Sequence, residues 1–282
     1  NLNLEFDVID KWYRMSKNAD DYNMSRDNAT ALSHKEYLQE ALSLADVDYD
    51  FSQSDAFAVI TNPDTQAIDF GPALVGNDSW NLRSDEKTFY TSTNSGYDLN
   101  VWGGLWLNHE VFHNMGLPDL YRYGGDPTWH GLVGRFSIMG LISGEAPDLF
   151  GYSKWMLDWV KDSQVFCAES GTGVIDISPI ELFQGETKIV VLPLSNTKAV
   201  VLESRRAIGL DSNLPNDGVL VYLVNTSIPG GTGVIKVLPE DNYDEVKLNV
   251  LLGEGDELYY EDYNIKVVYS DPSFDRVVIT KN

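Results

Sequence analysis

The stretch His109-Glu110-Val111-Phe112-His113-Asn114-Met115-Gly116-Leu117-Pro118-Asp119 constrains the fold of this chain more than any other. His-Glu-x-x-His on a helix sets two imidazoles about one turn apart on the same face, where both can reach a single zinc ion. Glu110 points into a neighbouring sector, close enough to touch a water on the metal without binding the metal, which is the position of a general base. Gly116 has no Cβ and can take the left-handed conformation that ends a helix, and Pro118 forbids its continuation. The turn brings Asp119 back as a third ligand and leaves the fourth tetrahedral position to water, as in a catalytic zinc site. The competing reading, a helix whose histidines are merely packed or solvated, leaves the Gly and the Asp at these offsets unexplained. Asp119 also follows a turn, where a carboxylate can cap or bind calcium, and His130 is then the next ligand candidate.

A second element supports the first. Ser137-Ile138-Met139-Gly140 stands about twenty residues beyond Asp119 and looks like the Met-turn of metzincins, in which a methionine forms an apolar floor beneath the ligating imidazoles. Taken alone, Met139 reads as ordinary core packing; with the upstream motif the two reinforce each other.

At these residues the chain resembles the immune inhibitor A-like secreted metalloproteases, a metzincin-related group whose third ligand is Asp in place of His. The zinc helix running into Gly116-Leu117-Pro118-Asp119-Leu120-Tyr121 follows that family's pattern. Tyr37 to Asp46 with Val47 to Ser52 resembles its backing helix and acidic exit, and Ser153 to Trp159 its helix after the Met-turn. Val200 to Arg205 and Gly218 to Tyr222 are similar to the start of its β-rich region. The resemblance spans most of residues 35–225 and is most specific over 105–140. It implies a secreted zinc endopeptidase acting on protein or peptide substrates, with His109, His113 and Asp119 as metal ligands, Glu110 as base and Met139 in the Met-turn. Two departures limit the transfer. Leu141 stands where some metzincins carry a tyrosine that assists at the metal or oxyanion, so an oxyanion donor must come from elsewhere. Val111-Phe112 replaces a frequent Phe-Gly pair and alters helix packing.

The expected fold is α+β, a metzincin-like domain over 1–165 followed by an antiparallel β-sandwich over 166–282, with the boundary within 163–178. Over 34–45, apolar residues at helical spacing predict a helix capped by Ser33, and a shorter helix is expected around Val8, Ile9, Trp12 and Tyr13. Ala56 to Thr61 reads as a buried strand closed by the turn Asn62-Pro63-Asp64, and Gly124-Gly125-Asp126-Pro127 as a loop. Beyond residue 165, β-branched runs recur at 188–192, 219–224, 246–250 and 265–269, separated by Gly, Pro, Asn and Asp turns.

Twenty Lys and Arg against 43 Asp and Glu give a net charge of −23, a field that repels nucleic acid and anionic membranes but not neutral or cationic protein substrates. No apolar run is long enough to span a membrane, and the chain begins at Asn1 without Met or a basic-then-apolar leader, which fits a processed or trimmed product; the secreted, extracellular location is what the resemblance implies, and a monomer is expected. Cys167, the single cysteine, cannot form an internal disulfide and reads as a small buried hydrophobe. The clusters Asp46, Asp48, Asp50 and Asp211, Asn213, Asn216, Asp217 make calcium a second cofactor candidate beside zinc, although neither has the spacing of an EF-hand loop. A catalytically weak surface-binding or adhesion protein that keeps this scaffold is the alternative function; loss of Glu110 or of a ligand would mark it, and all are present.

Overall fold

Thr30 starts the first helix. Its side chain accepts the Ser33 N–H while the Ser33 hydroxyl accepts the Thr30 N–H, satisfying donors that a helix start otherwise leaves open. Helix α1 therefore spans Ala31–Ala45, beginning ahead of the expected position 34, with Thr30 and not Ser33 as the cap. In this computed structural model, residues 4–124, 128–168, 172–240 and 248–281 are described. Asp126 and the first residues of the expected 246–250 strand lie outside them. Cα packing divides the chain into two compact units, Asn1–Leu117 and Pro118–Asn282.

In the first unit the strands are β1 (Phe57–Val59), β2 (Ala73–Val75), the short pair β3 (Leu82–Arg83) and β4 (Thr88–Phe89), and β5 (Thr91–Asn94). The larger sheet has the order β1-β5-β2, with β5 parallel to β1 and antiparallel to β2. β1 is shorter and only half-buried, where a buried strand was expected over 56–61, because it lies at an edge of this sheet. Leu38, Leu42 and Ala45 of α1 pack with Phe51, Leu74, Leu82 and Phe89 into one apolar cluster. The segment around Val8 to Tyr13 is not helical. Its side chains are held one by one: Lys11 and Tyr13 on Asp48, Asp7 on the Tyr49 hydroxyl, and Ile9 and Tyr13 against the cluster. Helices α2 (Leu99–Trp102) and α3 (Gly104–Asn114) follow, separated by Gly103 at φ +55°, a conformation that favours glycine.

The second unit carries α4 (Gly151–Met156) and then β6 (Val165–Cys167), β7 (Gly173–Ile177), β8 (Ile189–Pro193), β9 (Lys198–Arg205), β10 (Gly218–Asn225), β11 (Ile235–Val237), β12 (Glu257–Tyr260), β13 (Tyr263–Asp271) and β14 (Phe274–Lys281). They form two sheets, β11-β10-β9-β8-β6 and β12-β13-β14-β7. Val190, Leu202 and Val221 of the first share one core with Ile177, Ile265 and Val277 of the second, so the sheets face each other as a sandwich. One pairing departs from the antiparallel expectation: β6 runs parallel to β8. Residues 248–250 form a 3-10 turn in place of the expected strand. Cys167 is exposed, contrary to the buried reading, because β6 is an edge strand of its sheet.

Residues 136–160 pack with the β-rich part, and a buried charge network shows why the units do not divide at the expected 165. The Arg205 guanidinium donates to Glu203 Oε1 at 2.7 Å, to Asp211, and to the Leu149 carbonyl at 3.2 Å, between the rings of Phe136 and Phe150. Glu203 Oε2 in turn accepts the Gly151 N–H at 2.6 Å and the Tyr222 hydroxyl at 2.7 Å. Arg205, Glu203 and Asp211 are each fully buried. Arg205→Met leaves two carboxylates buried without their counter-charge, and is expected to cost about 3–5 kcal/mol in a denaturant titration.

His34, on the inner side of α1, is buried, and burial pushes its imidazole down from 6.5 to about 4 against a partly compensating hydrogen bond with Asn94. The unfolded chain binds this proton more readily, so the contribution is complete above pH 6.5, falls through the window 6.5 to 4, and is gone below it. The expected size is about 3 kcal/mol, read as the part of the acid slope in equilibrium unfolding that His34→Gln removes.

Candidate metal centre

Helix α3 is fixed before it reaches its histidines. The Trp106 indole N–H, fully buried, donates to the Gly71 carbonyl at 2.6 Å, and His109 and Glu110 follow on the buried side. The helix ends as the glycine signal requires. Gly116 takes φ +95°, its N–H returns to the His113 carbonyl at 2.9 Å, and the Leu117 N–H returns to Phe112 at 3.0 Å. This is the Schellman pair of bonds, which closes the last carbonyls of a helix and turns the chain.

The turn also sets the chemistry of His113. Its Nδ1 lies 2.8 Å from the Leu117 carbonyl, which can only accept, so the proton is on Nδ1 and Nε2 keeps its lone pair. That Nε2 lies 3.1 Å from His109 Nε2, with the two rings nearly perpendicular at 88°. Two zinc ligands at tetrahedral angles and 2.0–2.1 Å from the ion are about 3.3 Å apart, so the imidazole pair already has the span of one metal edge. Among the described residues, His109, His113 and Asp119 form a group that could hold a metal ion, with one ligand atom from each and all within 4.8 Å of one another. Two imidazoles and a carboxylate are an N/O donor set suited to zinc. All three stand within residues 109–119, so the turn after α3 brings them together.

Asp119 is buried and held from several directions. The Tyr123 hydroxyl donates to its Oδ2 at 2.6 Å, its carbonyl accepts the Gly231 N–H at 3.1 Å, and the Tyr123 N–H donates to the Gly231 carbonyl at 3.0 Å. The loop Pro229-Gly230-Gly231-Thr232-Gly233 lies against this stretch so closely that a Cβ on Gly231 would stand 2.3 Å from the Tyr123 ring. Sequence reasoning missed Tyr123 and this loop. The glycine run was visible, but its distance along the chain from the motif gave no reason to connect them.

Glu110 is on α3 between the two histidines, and its Oε2 accepts the Ala73 N–H of β2 at 2.6 Å, which orients the carboxylate. Met139 is fully buried in a turn in which Ser137 takes φ +66°, and its carbonyl accepts the N–H of Leu120, next to Asp119. His130 is not part of the ligand group. Its Nδ1 donates to the Gly140 carbonyl at 2.9 Å and so braces the Met139 turn. The acidic clusters are engaged otherwise: Asp48 by Lys11, Asp50 by the Ser52 N–H, Asp46 by the Asp85 N–H, Asp211 by Arg205 and Asp217 by the Ala207 N–H. Neither gathers three close carboxylates among the described residues.

Comparison of the chain with protein-family models, with curated proteins and with solved structures finds no match in any of the three. No helix among the described residues is long and apolar enough to cross a membrane.

Outer partners of metal ligands commonly contribute ten- to hundredfold in affinity. Tyr123→Phe is therefore expected to weaken zinc binding by roughly tenfold and Asp119→Ala by far more, as measured by competition with a chromophoric chelator. Equal affinity in Asp119→Ala and the parent would remove Asp119 from the ligand set.

Proposed function

We propose that the chain is a zinc-dependent endopeptidase of the immune inhibitor A-like, metzincin-related kind, secreted and acting on protein or peptide substrates. The observation that carries this reading is the His109, His113, Asp119 group with Glu110 on the same helix. A zinc ion held there supplies Lewis acidity to a peptide carbonyl and makes water a nucleophile near neutral pH. Asp119 adds one negative charge to two neutral imidazoles and so tempers that acidity relative to a three-histidine set.

The chain's own groups do the rest. Glu110, oriented by the Ala73 N–H, is the group to take a proton from the attacking water and return it to the leaving amine. His113 keeps its proton on Nδ1 through Leu117, which holds Nε2 ready as a ligand and keeps His113 out of the proton transfer. β2, whose backbone meets Glu110, is an edge strand of its sheet and antiparallel to its neighbour β5. An extended peptide adding to that edge is presented by backbone hydrogen bonds with its side chains alternating, which suits an endopeptidase more than an adhesion scaffold.

The test is hydrolysis of casein by the full chain with and without a chelator. Glu110→Gln is expected to retain its zinc by metal analysis while turnover drops by roughly two orders of magnitude. Turnover that survives both the substitution and metal removal would defeat the proposal.

A further inference from the structure

β6 and β7 are each the last strand of their sheet, and one cavity takes its walls from both. It has a volume of about 540 Å³, with Phe166 of β6 on one side, Val174 and Asp176 of β7 and Phe274 and Arg276 of β14 on the other, and Glu186 ahead of β8. That volume lies within the range of roughly 300–1,000 Å³ typical of ligand sites. None of these residues belongs to the metal group.

The backbone along this cavity is unpaired on one side. Among the described residues β7 pairs with β14 alone, so the N–H and C=O groups of its other edge are a template for an added strand. Proteins commonly guard such an edge with proline or lysine, and Gly173-Val174-Ile175-Asp176-Ile177 contains neither. Ile175 and Ile177 are buried in the core while Val174 and Asp176 face outward, and Val174 is 66% exposed.

Charge then selects the strand that fits. Arg276 is already committed: its guanidinium makes two bonds to the Asp176 carboxylate across the β7–β14 pair, at 2.7 and 2.8 Å, and the two charges cancel. Glu186 is exposed and has no hydrogen bond or ion pair with a described residue, so the cavity keeps one net negative charge. The chain as a whole carries 43 acids against 20 bases, so a cationic segment is favoured both on approach and at contact. Phe166, 42% exposed, offers a ring that the stem and head of a lysine or arginine can cover.

We propose that this cavity is a second peptide-binding site, in which an extended basic segment of a partner polypeptide adds as a strand to the free edge of β7 with a lysine or arginine set against Glu186 and Phe166. Backbone bonds along the edge supply affinity, and the alternating side chains supply selectivity. The site needs neither metal nor turnover. On the endopeptidase reading the partner is the protein substrate, held at a distance from the bond to be cut.

The experiment measures the fluorescence anisotropy of labelled, blocked nonapeptides in which Lys alternates with Thr and Val, added to the full chain carrying Glu110→Gln so that the probe stays intact. Two further peptides replace Lys by Glu, or place Pro at two alternate positions and so remove backbone donors. The lysine peptide is expected to bind about tenfold tighter than either. Glu186→Lys removes that preference and Glu186→Asp retains it, which excludes a folding defect, while the same charge change at the exposed Glu36 of α1 leaves it intact. Equal binding of the three peptides overturns the site, as does a preference that ignores Glu186→Lys or is lost equally with Glu36→Lys. Selective binding in a parent chain that cleaves nothing upholds this site and defeats the protease, whereas cleavage without selective binding does the reverse.

Discussion

Arg205 is the side chain on which the second unit depends. A guanidinium with no exposure to water is tolerable only if every donor is met and its charge is balanced, and Glu203, Asp211 and the Leu149 carbonyl meet that demand. The consequence is architectural. Glu203 carries a second set of bonds to Gly151 and Tyr222, so one ionic cluster joins the entrance of α4, the strands β9 and β10 and the 3-10 turn Gly209–Asp211. Gly151 belongs to this arrangement because a Cβ there would stand 2.4 Å from Ile189 and 2.8 Å from Glu203 Oε2.

The same unit supports Asp119, the third member of the group that could hold a metal ion. Asp119 is reached by Tyr123 and by the glycine loop between β10 and β11, while its neighbour Leu120 is bonded to the Met139 turn. The β-rich part is thus more than an appendage. It supplies the backbone donor on Asp119 and the packing that keeps the Tyr123 ring in place. A carboxylate held by a hydroxyl and a fixed backbone loses little freedom on taking a metal, which is how outer contacts raise affinity.

In the first unit the division of labour differs. Trp106 anchors α3 through Gly71, and Glu110 takes its orientation from β2, so the helix bearing the histidines is registered against the sheet at two points. The polar strand β5 is buried between elements, with Ser92 and Asn94 inside, and burial holds the His34 imidazole beside Asn94 below its ordinary range.

The grouping of His109, His113 and Asp119, which could hold a metal ion, was legible from sequence because every requirement is local: the four-residue histidine spacing, the glycine at positive φ and the returning aspartate all lie within one helix and its turn. The β-branched runs at 188–192, 219–224 and 265–269 announced strands for the same reason, since period and turn residues act over a few positions, whereas residues 248–250 of the fourth run form a 3-10 turn. Helix caps were less certain, as Thr30 and Ser33 both qualify and only the observed reciprocal bonds choose between them. What tertiary structure decided was everything that joins distant segments: the parallel β6–β8 pairing, the exposure of Cys167 on an edge strand, the role of His130 under the Met139 turn, and the meeting of Tyr123 with Gly231. These depend on which surfaces remain to be covered after local structure has formed, and residue spacing along the chain carries no record of that.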